Sequence, residues 1–262
     1  MIVHDCQEPT GRRIGIAEAS DLLGRGGLAV LPTDTVYGIA ADAFTPAAVQ
    51  KLLDAKGRGR NMPPPVLVAD VGLLDTLAAE VPQTARELAA AFWPGPLTII
   101  LLAQPSLNWD LGETDGTVAL RMPNHEVVLE LLRRTGPLAV SSANLSGKPS
   151  ATTVAAAAAA FGPAVGAYLD GGPTPGETPS TIVDLTSPTP LVLREGAIGR
   201  EQLAQVVPAL AEDPAADVPA TEVPADEAPA EAAPADEPVG EPDELPAAEE
   251  SAEHTRGEGN RE

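Results

Sequence analysis

Short apolar runs bounded by Gly, Pro, Asn or Asp recur through the first 207 or so residues and alternate with stretches of helical spacing. Runs of this kind predict strands, and apolar residues at i, i+3 and i+4 predict helices. Strands are predicted over 28–31, 65–68, 97–102, 117–121, 138–140, 167–169, 181–185 and 191–193. Helices are predicted where a cap precedes a periodic stretch, since a hydroxyl or amide there accepts an orphan backbone N–H and Pro fits the first turn. The starts are Thr45-Pro46, ahead of the run to Ala55; Val81-Pro82, ahead of the segment ending at Trp93-Pro94-Gly95; Asn124, ahead of His125 to Arg134; and Thr152-Thr153, ahead of the alanines leading to Phe161. Such alternation predicts a mixed α/β domain whose site lies on connecting loops.

The pattern stops at Pro208. Beyond it the sequence becomes irregular Ala, Pro and Glu repeats nearly devoid of large apolar residues, which cannot bury enough surface to offset the entropy of ordering. A folded body over 11–207 and a disordered acidic tail over 208–262 are therefore expected. Charge divides the same way. Residues 212–262 hold 17 Asp and Glu against Arg256 and Arg261, so −15 of the chain's −22 belongs to the tail and about −7 to the body. An acidic body argues against a broad nucleic-acid surface, which needs Lys and Arg to displace counterions.

The single cysteine, Cys6, cannot form an internal disulfide, and no Cys/His cluster has zinc-ligand spacing. No stretch reaches the roughly 18 apolar residues of a membrane span, and the first residues lack a signal-peptide core. A cytoplasmic protein is expected.

Three segments carry polar chemistry. Pro32-Thr33-Asp34-Thr35-Val36-Tyr37-Gly38 follows a predicted strand with hydroxyls and a carboxylate suited to a small zwitterion, although the same residues also make ordinary turns. Lys56-Gly57-Arg58-Gly59-Arg60 places three cations on a loosened loop, able to surround a triphosphate or simply to face solvent. It is neither a Walker A nor a GxGxxG motif. Ser141-Ser142-Ala143-Asn144 offers uncharged donors and acceptors. The three histidines, His4, His125 and His254, stand in no triad context, which excludes a serine hydrolase. Arg121 and Arg194 each end a predicted strand, where they could meet a substrate carboxylate or form a surface ion pair. His4-Asp5-Cys6 reads as a frayed terminus, and Trp93-Pro94-Gly95-Pro96 as a rigid turn packing its indole.

Taken in order, PTDTVYG, the K-x-R of Lys56 and Arg58, TVALRMP, the S-x-N of Ser142 and Asn144, PSTIVD and LVLREGAI resemble the YrdC-like L-threonylcarbamoyl-AMP synthase family in its short form. The resemblance spans 11–207. It implies a single α/β domain in which a twisted, mostly parallel sheet curls around a concave basic cavity. It also implies that Thr35, Arg121, Ser142 and Ser180 contact L-threonine, that Arg58, Thr117, Asn144, Thr152 and Arg194 contact ATP, and that Lys56 and Arg58 act catalytically on phosphate charge. Two departures stand out: Met62 and Leu67 occupy positions where family members carry Asn and His, and Pro179 replaces the acid of E-S-T.

The reaction implied is that of a nucleotidyltransferase. Threonine and bicarbonate give a carbamate that attacks the α-phosphorus of ATP, with Mg2+ held mainly by the phosphates, and threonylcarbamoyl-AMP and pyrophosphate are formed for tRNA t6A37 modification. The product would pass to a tRNA threonylcarbamoyltransferase, with weak tRNA binding a further expectation. A non-catalytic RNA-binding or ribosome-assembly module, or a paralogue of the same fold, is the alternative.

Overall fold

A computed structural model describes residues 1–211. Their ten strands form one sheet in the order β1-β8-β2-β3-β7-β4-β6-β5-β9-β10. The strands are β1 Ile2–Asp5, β2 Ala29–Leu31, β3 Gly38–Asp42, β4 Val66–Leu67, β5 Leu97–Leu102, β6 Thr117–Arg121, β7 Leu138–Ser142, β8 Ala167–Asp170, β9 Thr181–Asp184 and β10 Leu191–Arg194. The helices are α1 Pro9–Gly24, α2 Pro46–Lys56, α3 Leu73–Leu77, α4 Gln83–Phe92, α5 Glu126–Thr135, α6 Val154–Phe161 and α7 Arg200–Val206.

The α/β domain is as expected. Its sheet is mixed: β8 is parallel to β1 and β2, β4 to β6 and β5 to β9, while the other junctions are antiparallel. All eight predicted strands are present. The body also reaches past 11–207 at both ends. The segment read as a frayed terminus is instead β1, paired with β8, and Leu210 in the final 3-10 turn is buried. Of the tail, residues 212–262 lie outside the described residues.

Local chemistry explains the helix ends. Thr153 caps α6 by accepting from the Ala156 amide at 3.2 Å. Thr45 does not cap α2 with its side chain, because its hydroxyl donates to Asp42 Oδ2 at 2.9 Å. His125, not Asn124, sits at the start of α5. At the far end of α2, Gly57 takes φ +64° and the amides of Gly57 and Arg58 return to Asp54 and Leu53, a left-handed cap open to glycine at little cost. Helix α1 escaped the pattern because its buried stripe is thin: Gly15 and Ala19 take two of its four positions, beside Ile16 and Leu23. Strand β3 escaped because Gly38, Ala40 and Ala41 are weak strand formers, held here by burial between β2 and β7.

Three apolar clusters hold the layers together. Helices α1 and α5 pack on one face of β2, β7 and β8; α2 and α6 cover the other face of β2, β3 and β8. Across the sheet, α3, α4 and α7 close on Leu97, Ile99 and Leu101 of β5, Val118 and Leu120 of β6 and Val183 of β9. Each fully buried leucine or isoleucine here contributes about 1.5–3 kcal/mol. Side chains alternate between faces along a strand. The intervening residues Thr98 and Ile100, Thr117, Ala119 and Arg121, and Ser180 and Ile182 therefore face the opposite side, where they line a cavity.

Candidate functional site

The cavity has a volume of about 540 Å³. Its walls come from the turn between β2 and β3, the loop after α2, strands β4 to β7, and the ends of β9 and β10. Three guanidiniums reach it: Arg58, Arg121 and Arg194.

Arg121 is the most buried of the three, 7% exposed. Its Nε donates to Gly95 O at 3.2 Å, and its Nη2 donates to Asp34 Oδ1 at 2.6 Å and to Thr35 Oγ1 at 3.1 Å. Burial draws its pKa down from the ordinary value, while Asp34 opposes that shift. An arginine nonetheless stays charged, so the cavity wall carries a fixed cation. Asp34 Oδ2 is buried without a hydrogen-bond partner. Leu67 lies beside Arg121 as its Cα partner on the parallel neighbour strand, giving this part of the cavity an apolar wall where Leu67 and Val140 are buried.

Ser180 lies beyond Thr98, on the β9 side of the wall. Its hydroxyl lies 2.9 Å from Thr98 Oγ1, and Arg194 donates to its carbonyl through Nη2 at 2.9 Å and to its hydroxyl at 3.3 Å. Arg58 leaves the α2 cap and donates from Nη1 to Ser141 Oγ at 2.9 Å. Thr117 lines the wall, its hydroxyl donating to Thr114 O at 2.7 Å. Ser142 lines it too, as do Asn61, Met62 and the three prolines that follow.

The structure thus gathers Thr35, Arg58, Thr117, Arg121, Ser142, Ser180 and Arg194 around one space. Lys56, Asn144 and Thr152 are not on its wall. Lys56 is 1% exposed, and its ammonium donates to Ser142 O at 2.6 Å, Asn144 O at 2.8 Å and Asn144 Oδ1 at 3.4 Å. The expected phosphate-facing lysine is a buried tie between α2 and the loop after β7; the same left-handed cap that sends Arg58 into the cavity leaves Lys56 on the inner face of its helix. The Asn144 amide is likewise spent inside that loop, on Leu145 O and Lys148 O. The carbonyl of Thr152 receives the amide of Thr174 at 2.9 Å. Sequence reasoning gave Thr33, Asp34 and Ser141 no individual role beyond their segments, and it missed Thr98. Thr33 and Asp34 were visible only as part of the motif, and the contacts of Thr98 and Ser141 are made across 82 and 83 residues.

A mixed α/β domain with hydroxyls and three arginines around one cavity is a binding domain for small anionic ligands. The family model Sua5_yciO_yrdC, described as "Telomere recombination", matches residues 21–196, and the chain belongs to that family. A Mycobacterium leprae relative is 53% identical over 205 residues, 78% of this chain and 93% of its own. The threonylcarbamoyl-AMP synthase of Bacillus subtilis is 40% identical, over 73% of this chain and 56% of its own. Among solved structures, that of P. abyssi Sua5 complexed with L-threonine aligns with a TM-score of 0.74 and 36% identity, over 79% of this chain and 61% of that one.

Among the described residues no helix is long and apolar enough to cross a membrane.

Proposed function

We propose that this chain is a threonylcarbamoyl-AMP synthase working in the cytoplasm on L-threonine, bicarbonate and ATP. The observation that carries the reading is the make-up of this cavity. A buried arginine, fit for an amino-acid carboxylate, stands beside a threonine hydroxyl, fit for another polar group of the same ligand, and two further guanidiniums stand on the walls, fit for phosphates. Relatives named for this activity and a relative holding L-threonine support it.

The chemistry needs no covalent enzyme intermediate. The threonine nitrogen bonds to the bicarbonate carbon as water leaves; a carbamate oxygen then bonds to the α-phosphorus as the bond to the β-phosphate oxygen breaks and pyrophosphate departs. Arg121 orients the amino acid, and Arg58 and Arg194 align the triphosphate and offset its growing charge. Magnesium enters with the nucleotide. Among the described residues the wall supplies hydroxyls and guanidiniums and no carboxylate, so phosphate oxygens and water would hold the ion. Transfer of the product to tRNA falls to a separate threonylcarbamoyltransferase in this reading.

The test is pyrophosphate release by the purified full chain with Mg2+ and ATP, with and without L-threonine and bicarbonate, and detection of threonylcarbamoyl-AMP by mass. Release that requires both co-substrates supports the reading. Absence of release from folded protein, together with salt-dependent tRNA affinity, would replace it with an RNA-binding module.

A further inference from the structure

Four hydrogen bonds in the turn after β2 determine where one proton must be. Thr33 Oγ1 donates to Val36 O at 2.6 Å, and a hydroxyl has only one proton to give. The Thr35 amide donates to the same Thr33 oxygen at 3.1 Å. The 3.0 Å contact between the Thr33 and Thr35 hydroxyls must therefore be filled by the proton of Thr35. Arg121, which can only donate, gives Nη2–H to Thr35 Oγ1 at 3.1 Å. The Thr33 oxygen is then saturated. The Thr35 oxygen has spent its proton and one lone pair, and keeps a single lone pair in the cavity that both residues line.

We infer that Thr33 is a specificity-determining residue: by holding the proton of Thr35 it makes Thr35 Oγ1 an acceptor, reading an N–H or O–H of the amino-acid substrate and turning away its carboxylate. A carboxylate oxygen at Thr35 would meet a lone pair and is left to Arg121. The inference rests on the proposed amino-acid site and adds the polarity of one of its contacts. In L-threonine two groups can supply the proton, the β-hydroxyl and the α-amino group.

Thr33→Val removes the acceptor for the Thr35 proton, which becomes free to turn into the cavity and oppose the substrate's own proton. It also strips Val36 O of its donor, so some loss of stability accompanies it. Thr33→Ser restores every hydroxyl bond. The experiment measures Kd for L-threonine and for L-valine by titration calorimetry on the full chain, and KM for L-threonine and for ATP by pyrophosphate release.

Loss of one well-made hydrogen bond should raise Kd and KM for L-threonine about tenfold in Thr33→Val. The KM for ATP should stay within about twofold, and Thr33→Ser should bring the threonine values back. A narrowed preference for L-threonine over L-valine would identify the hydroxyl as donor, whereas equal weakening of both amino acids would identify the amine. An unchanged threonine Kd in Thr33→Val, or an equal rise in both KM values that Thr33→Ser fails to reverse, overturns the inference. Wild-type protein that binds L-threonine with this sensitivity and yet releases no pyrophosphate would sink the synthase reading and leave the inference standing.

Discussion

Replacing Lys56 with Met separates a structural ammonium from a phosphate-binding one. The methionine keeps most of the stem's volume and removes a charge whose two short bonds end on Ser142 O and Asn144 O. Bonds from a charged group contribute about 1.5–3 kcal/mol each. Against that loss stands the relief of no longer desolvating an ammonium, several kcal/mol in the opposite direction. Ser142 O keeps a second donor in the Asn144 amide at 3.0 Å, so Asn144 O is the carbonyl left worst placed. The balance is a destabilisation of about 3 kcal/mol, taken mainly from the unsatisfied carbonyl and the freed loop. For a body of about 200 residues this lowers Tm by roughly 6–12 °C. Scanning calorimetry of the two proteins without ligand at neutral pH reads it directly. A Lys56→Met protein that melts within about 1 °C of wild type but has lost turnover would refute the argument and return the ammonium to the phosphates.

Arg58→Ala should cut turnover by about a hundredfold or more while melting within about 2 °C of wild type; near-normal pyrophosphate release would remove Arg58 from the site. Asp34→Ala leaves the Arg121 charge buried without its carboxylate and should cost about 3–5 kcal/mol in urea unfolding; a loss under about 1 kcal/mol would mean the pair contributes little. The Cys6 thiol, pushed up to about 11 mainly by burial, stays protonated at pH 8; a thiol reagent should label it on the order of a hundredfold more slowly in native than in unfolded protein, and equal rates would contradict the buried position. Burial lowers the His125 pKa, so the unfolded chain binds the extra proton first. Its contribution is intact above about pH 6.5 and is lost as pH falls through the folded value. The Tm of wild type should therefore drop more between pH 7.5 and 5.5 than that of His125→Gln; parallel curves would exclude His125 as the cause.

Strands bounded by turn residues were legible to the residue: β5 follows Pro96, and β6 lies between Gly116 and Met122-Pro123. The cavity wall was also largely legible, because the same alternation that sends Val118 and Leu120 to the core sends Thr117 and Arg121 to the other face. What the sequence could not show was the direction of side chains on irregular backbone. Lys56 and Arg58 stand two residues apart and look equivalent as cations, yet a left-handed glycine between them turns one inward and the other to the site. The pairing of Asp34 with Arg121 spans 87 residues, and nothing local to either announces it. Glycine- and alanine-rich elements such as β3 and the middle of α1 exist because neighbours bury them, a tertiary cause that local propensity does not encode.

The place of β8 between β1 and β2 has a consequence for synthesis. His4 pairs with Leu169 and Val30 with Tyr168, so β1 and β2 share a partner that leaves the ribosome only after β3 to β7 have been made. At roughly 5–20 residues per second, they wait on the order of ten seconds or more with facing edges open. Until then α1 has only part of its platform, since Leu169 belongs to the cluster it packs on. A ribosome paused before residue 167 would present two unpaired strand edges and an unburied helix face, the kind of surface that holding chaperones recognise.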